Sequence, residues 1–113
     1  MRTLIALLLL AALLTATSQS ADADDARILI VVTSHDRMGD TGTHTGAFFP
    51  EITHPYAVFT GNGYAVDIVS PKGGRTPLVA AGTRDSVTAR LLYDATFMGK
   101  LGDAKTPDEV DPA

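Results

Sequence analysis

The stretch Glu51–Gly74, EITHPYAVFTGNGYAVDIVSPKGG, decides the fold, because it joins a helix, a turn, a strand and a glycine-rich exit within one short run. Its first part continues the upstream AFFPEITHPYAVF, where Phe48, Ile52 and Phe59 fall on or near one helical face. Gly61 stands where a left-handed residue would end that helix. Pro50 suits a first turn, but a proline in a helix interior costs about 3 kcal/mol, so Pro55 predicts a kink or a restart at His54. Asn62-Gly63 then turns the chain into YAVDIVS, a short and mostly apolar strand.

Upstream, RILIVVTS is a continuous β-branched apolar run, which predicts a strand over Arg27–Thr33 buried on both faces. Strand, helix and strand in this order make a right-handed βαβ unit with parallel strands. The connection SHDRMGDTGTHTG is polar and glycine-punctuated and, at about a dozen residues, longer than most such loops. Long loops after such strands are often functional.

Downstream, PKGGRTPLVAAGT reads as a second loop, with PKGG letting backbones pass closely. RDSVTARLLYDATFMGKL reads as one second helix, capped by Asp85, with Val87, Leu91, Ala95, Met98 and Leu101 at helical spacing. Phe97 and Met98 are assigned to packing rather than to a ligand. The tail GDAKTPDEVDPA contains Thr-Pro-Asp-Glu, a helix or turn start with nothing after it. The expected class is α/β, a β-α-β-α portion with parallel strands. Two strands leave two open sheet edges, so further strands are expected from a longer chain or a partner.

The chain opens with Met1 and Arg2, then TLIALLLLAALLTA and the small-residue run TSQSADA. This predicts a signal peptide over residues 1–21, cleaved near 21–23, and a periplasmic or secreted protein. A spanning helix needs about 20 apolar residues, and this run breaks at Thr15 before reaching that length. About 90 residues would remain, near the lower limit for a single unstapled core.

Composition removes several chemistries. With no cysteine there is no disulfide, thiolate zinc site or thiol nucleophile within the sequence. A formal net charge of −4 gives no electrostatic reason to bind nucleic acid, or anionic lipid after signal cleavage. His35, His44 and His54, with Asp36 and Asp40, lack any HxH, HxxxH or HExxH spacing that would set two imidazoles on one face. They read as solvated loop residues, and neither a metal nor a cofactor is expected. GNG and PKGG lack a full dinucleotide or Walker pattern.

The ordered residues nonetheless resemble a known family. Thr33-Ser34 ends the first strand, and Thr45-Gly46 precedes the helix. Glu51 is followed by His54-Pro55-Tyr56, then Gly63-Tyr64, Val66-Asp67 and Ser70-Pro71-Lys72-Gly73-Gly74. From about Arg27 to Leu78 this set resembles the opening of the ThiJ/PfpI family, in the class I glutamine amidotransferase-like superfamily. The resemblance implies a flavodoxin-like three-layer α/β sandwich, often dimeric, of which residues 27–113 would be an N-terminal portion. It also implies a cysteine on a strand-to-helix elbow and a helix-borne acid against the thiol. That acid maps onto Glu51.

Family activities include glyoxalase III-like conversion of methylglyoxal, deglycation, peptide hydrolysis and holdase chaperoning. The expectation is therefore an incomplete domain, ancestrally a cysteine-dependent enzyme acting on small aldehydes and inactive without its nucleophile. One departure is that relatives tend to carry Asp after the Pro-Leu that follows SPKGG, whereas here Leu78 leads into Val79-Ala80-Ala81. An acidic first-turn residue such as Glu51 is also common for its favourable place against the helix dipole alone. Two other readings stand beside this one: a non-enzymatic binding or holdase module, and a flavodoxin-like protein holding FMN phosphate with TGTHTG.

Overall fold

The structure is a computed structural model and describes residues 26–110. The expected signal peptide lies outside the described residues. Among those described, no helix is long and apolar enough to cross a membrane.

The first strand, β1 (Arg27–Val31), and β3 (Ala65–Val69) pair in parallel, with Ile28 opposite Val66 and Ile30 opposite Ile68. Between them lie a two-residue strand, β2 (Ala47–Phe48), and helix α1 (Phe49–Gly61). This is the βαβ unit expected from the sequence. After β3 come β4 (Leu78–Val79), parallel to β2, then α2 (Ser86–Leu92), α3 (Ala95–Gly102) and a single 3-10 turn at Pro107–Glu109. The class is α/β with parallel strands, matching a portion of a flavodoxin-like three-layer fold.

The core forms where the helices meet one face of the β1–β3 pair. Val32, Val66 and Ile68 from the sheet pack with Phe49, Ile52 and Tyr56 of α1, Leu91 of α2 and Phe97 and Leu101 of α3. The Phe97 ring centre lies 4.6 Å from that of Tyr56 and 6.0 Å from that of Phe49. Thr53 and Thr88 are fully buried, and their hydroxyls satisfy each other at 2.8 Å across the α1–α2 contact.

Several local expectations are corrected. Helix α1 runs through Pro55 without a restart, because Ile52, Thr53 and Tyr56 on either side of it are buried in the core. Tertiary packing there outweighs one lost backbone bond. The left-handed residue is Gly63, with φ 85°, and not Gly61. The Gly63 N–H donates to Thr60 O and the Tyr64 N–H to Phe59 O, each at 3.1 Å, and the rings of Phe59 and Tyr64 meet edge to face. Those paired bonds and that contact form a Schellman stop.

The second helix is two helices. Asp85 caps α2 as expected, accepting from the Thr88 N–H at 2.9 Å, but Asp94 caps α3 in the same way from Phe97 N–H at 2.9 Å. The break at Tyr93 changes the register, so Phe97 is buried while Ala95 is exposed. Strand β1 ends at Val31 and is not buried on both faces, since Leu29 and Val31 stay 46% and 72% exposed. The 78–81 departure sits on strained backbone, with Ala80 at φ 60°.

Candidate functional site

The carboxyl end of β1, strand β2 and the first turn of α1 border a cleft of ≈ 420 Å³, lined by Val31, Thr33, Gly46, Phe48, Glu51 and their neighbours. Open α/β sheets place ligands at this end of their strands. Glu51 is the third residue of α1 and is exposed at the cleft. Its position also favours the exposed amides of the helix start.

Gly46 shapes the opposite wall. The Ala47 N–H donates to Pro77 O at 2.8 Å, which draws the two segments together. A Cβ at Gly46 would fall 2.4 Å from the Pro77 carbonyl carbon and oxygen. Only glycine fits there, which gives the Thr45-Gly46 motif a steric reason.

The two strand ends are tied by the residues after them. Thr33 Oγ1 accepts from the His35 N–H at 3.0 Å, and Ser34 Oγ accepts from the Lys72 N–H at 3.0 Å. The SPKGG exit is thereby held beside the end of β1. Gly74 and Ala104 exchange two backbone bonds of 2.8 Å, so PKGG does let backbones pass closely.

The loop at 36–45 folds back on itself. Met38 N–H donates to Thr43 O at 2.9 Å, Thr41 Oγ1 donates to Met38 O at 2.6 Å and accepts from the Thr43 N–H at 3.2 Å, and Arg37 reaches Gly42 O at 3.1 Å. The Thr41 hydroxyl thus serves its own turn, and β2 separates the loop from the start of α1. A phosphate cradle needs hydroxyls and amides gathered at the helix start, and TGTHTG is not built that way here.

The histidines are dispersed. His35 is exposed, His44 Nε2 lies 3.1 Å from Leu78 O, and His54 Nε2 lies 2.9 Å from Asp85 Oδ1. Among the described residues no group of three or more His, Cys, Asp or Glu side chains is placed to hold a metal ion. Hydrogen bonds from Thr88, and then His54, hold the Asp85 carboxyl below the usual carboxylate range.

A second polar feature escaped the sequence reading. Asp67, a lone charge in an apolar strand, is buried on β3 and meets Arg27 of β1 at 2.6 Å and Lys105 at 3.2 Å. Burial pushes its carboxyl up, but Lys105 and Arg27 more than offset this and hold it below its ordinary value. An acid inside an otherwise apolar strand was the available signal. Tyr56 moves the other way: burial, aided by the nearby Asp94, pushes its hydroxyl up.

No family model matches the sequence, and no curated protein matches it. Solved structures do resemble it. The Rapid Encystment Protein 24 kDa (REP24) of Francisella tularensis is 31% identical over 75% of this chain and 39% of its own, with a TM-score of 0.67. A protein designated APC35852 is 30% identical over 71% of this chain and 34% of its own, with a TM-score of 0.56. The chain shares their fold and spans well under half the length of either.

Proposed function

We propose that these residues form the opening portion of a ThiJ/PfpI-type domain in which Glu51 is the acid that stands against a thiol nucleophile in chemistry on small aldehydes such as methylglyoxal. The observation carrying this reading is the place of Glu51, on the first turn of α1 at the cleft beside the carboxyl end of β1. The ordered motifs around it support the family, and the likeness to REP24 supports the fold portion.

A carboxyl within hydrogen-bond reach of a thiol sets its protonation and can carry a proton during turnover. The sequence has no cysteine, so such a nucleophile would have to come from outside these 113 residues. By themselves they turn over no methylglyoxal. The test follows lactate formation from methylglyoxal, with no product above blank expected from the purified chain. Turnover without a cysteine would overturn the reading. In the same assay on a domain completed by a nucleophile-bearing segment, Glu51→Gln lowers the rate about a hundredfold or more.

The exposure of Leu29, Val31 and Phe48 favours a second reading, a binding or holdase module. It requires a soluble, cooperatively unfolding protein that slows the aggregation of a heated client. A purified chain that itself aggregates would sink it.

A further inference from the structure

The loops of this chain are tied down to unequal degrees. In the 36–45 loop the Thr45 N–H donates to Asp36 O and the Met38 N–H to Thr43 O, each at 2.9 Å, and the Arg37 side chain closes on Gly42 O. The 70–75 turn is held by Ser34 through the Lys72 N–H and by Ala104 through Gly74. Residues 80–84 differ. All are exposed, and their loop is closed only on itself, by the Thr83 N–H at 3.1 Å and the Thr83 Oγ1 at 2.8 Å, both donating to Ala80 O. Among the described residues no hydrogen bond joins this loop to another part of the chain.

The loop also stands off from the body. A groove of ≈ 510 Å³ is lined on one side by Ala81–Arg84 and on the other by Ala89 and Leu92 of α2 and by Tyr93, which is 87% exposed. At the base of the loop Ala80 has φ 60°, a left-handed backbone that is unfavourable for a residue with a Cβ. Opening the turn therefore relieves strain as it gives up the two Thr83 bonds. A segment with so few contacts opens far more often than the fold as a whole, and exposed loop tips of small residues are where chains are nicked.

We propose that residues 80–83 form a processing site, at which an endopeptidase specific for small apolar side chains hydrolyses the Ala81–Gly82 bond. Water adds across that bond, so that the Ala81 carbonyl becomes a carboxylate and the Gly82 nitrogen a new amino terminus. Val79-Ala80-Ala81-Gly82 presents only small apolar side chains, which suits an enzyme with a shallow specificity pocket. The Arg84–Asp85 bond is a poorer target, because the Asp85 carboxylate is engaged by the Thr88 N–H and by His54 Nε2, each at 2.9 Å. The cut leaves the domain assembled. Across it the Thr53 and Thr88 hydroxyls meet, the Thr76 N–H donates to Leu101 O at 2.8 Å, Lys105 pairs along β3 and Phe97 packs against Phe49 and Tyr56. Strand β4 ends two residues before the cut and keeps its pairing with β2, so the chain becomes two pieces of one fold.

The test exposes the folded 113-residue chain to a trace of pancreatic elastase, whose specificity pocket is small, and follows the products by intact mass spectrometry and gel filtration. Within residues 26–110 the first cut should fall between Ala80 and Thr83, about tenfold or more faster than any other, and the two pieces should elute together as one species. Ala80→Asp combined with Ala81→Asp puts charges where the pocket takes a methyl group, and aspartate tolerates the left-handed backbone at position 80. This double variant should be cut about tenfold or more slowly without a higher urea midpoint. A first cut elsewhere in 26–110, breakdown with no discrete intermediate, or an unchanged rate in the double variant overturns the proposal. So does separation of the two pieces on the column, or a folded chain that stays whole under elastase that cuts the urea-unfolded chain.

Discussion

The two faces of the β1–β3 sheet differ most along β1, whose apolar side chains are covered on one side only. On one face Ile28, Ile30, Val32, Val66 and Ile68 meet the aromatic cluster of α1 and α3; on the other, Asp67 and Val69 of β3 are buried while Leu29 and Val31 of β1 are 46% and 72% exposed. Fully burying one such side chain is worth about 1.5–3 kcal/mol, so the partly exposed Leu29 and Val31 together forgo about 2–3 kcal/mol. That is a large share of a typical stability of about 5–15 kcal/mol. A strand's apolarity therefore shows how much surface it is built to bury, and not which neighbour does the burying.

The sharpest way to break the comparison is at the centre of the covered face. Phe97 is fully buried against Phe49 and Tyr56. Phe97→Ala should cost about 3–5 kcal/mol, read as a lower urea midpoint. A loss below about 1 kcal/mol, within the range of ordinary surface substitutions, would mean that the helices do not form a core over that face.

A smaller effect is expected at Asp67, which shares its face of β3 with the buried Val69 and is buried under two cations. Its folded-state pKa lies below its unfolded value. Its contribution is therefore complete above the unfolded value, near pH 4, and is lost as pH falls through the folded one. Asp67→Asn should cost about 1–2 kcal/mol at pH 7 and flatten the acid limb of stability below about pH 4. Unfolding curves at pH 7 and pH 3 check this, and an unchanged acid limb in the variant would refute the ion cluster as its source.

The covered face was the more legible one, because its signals are periodic. The runs at Arg27 and Ala65 announce strands, and Ile52 and Phe59 keep the helical spacing read from the sequence through Pro55, but Phe48, read onto the same face, lies in β2 and is exposed, and Phe49 beside it is the buried residue. Asp85 was readable as a cap, whereas Asp94 sat inside a pattern that could equally continue. The Asp94 side chain accepting the Phe97 N–H, with Phe97 turned into the core, marks the start of a new helix there. Strands β2 and β4 have two residues each, too few for any period to show. Their pairing depends on Gly46 lying against Pro77, a contact between distant positions. Glu51 is a candidate through the family resemblance alone, since the helix dipole by itself would explain an acid at that turn. Leu29 and Val31 were misread because apolar residues look alike whether or not something covers them, whereas Val69 of β3, on the same face, is buried as expected.

The smallest effect belongs to the exposed side of β1 itself. Val31 is 72% exposed in this chain, so Val31→Lys exchanges one solvated side chain for another and should shift stability by no more than about 0.5 kcal/mol. A lysine at an open strand edge also discourages edge-to-edge association, so the variant should be at least as soluble as the parent. Urea unfolding and light scattering at matched concentration measure both. A destabilisation approaching that of Phe97→Ala would mean that Val31 is buried in solution. The asymmetry between the two sides of β1 would then fall.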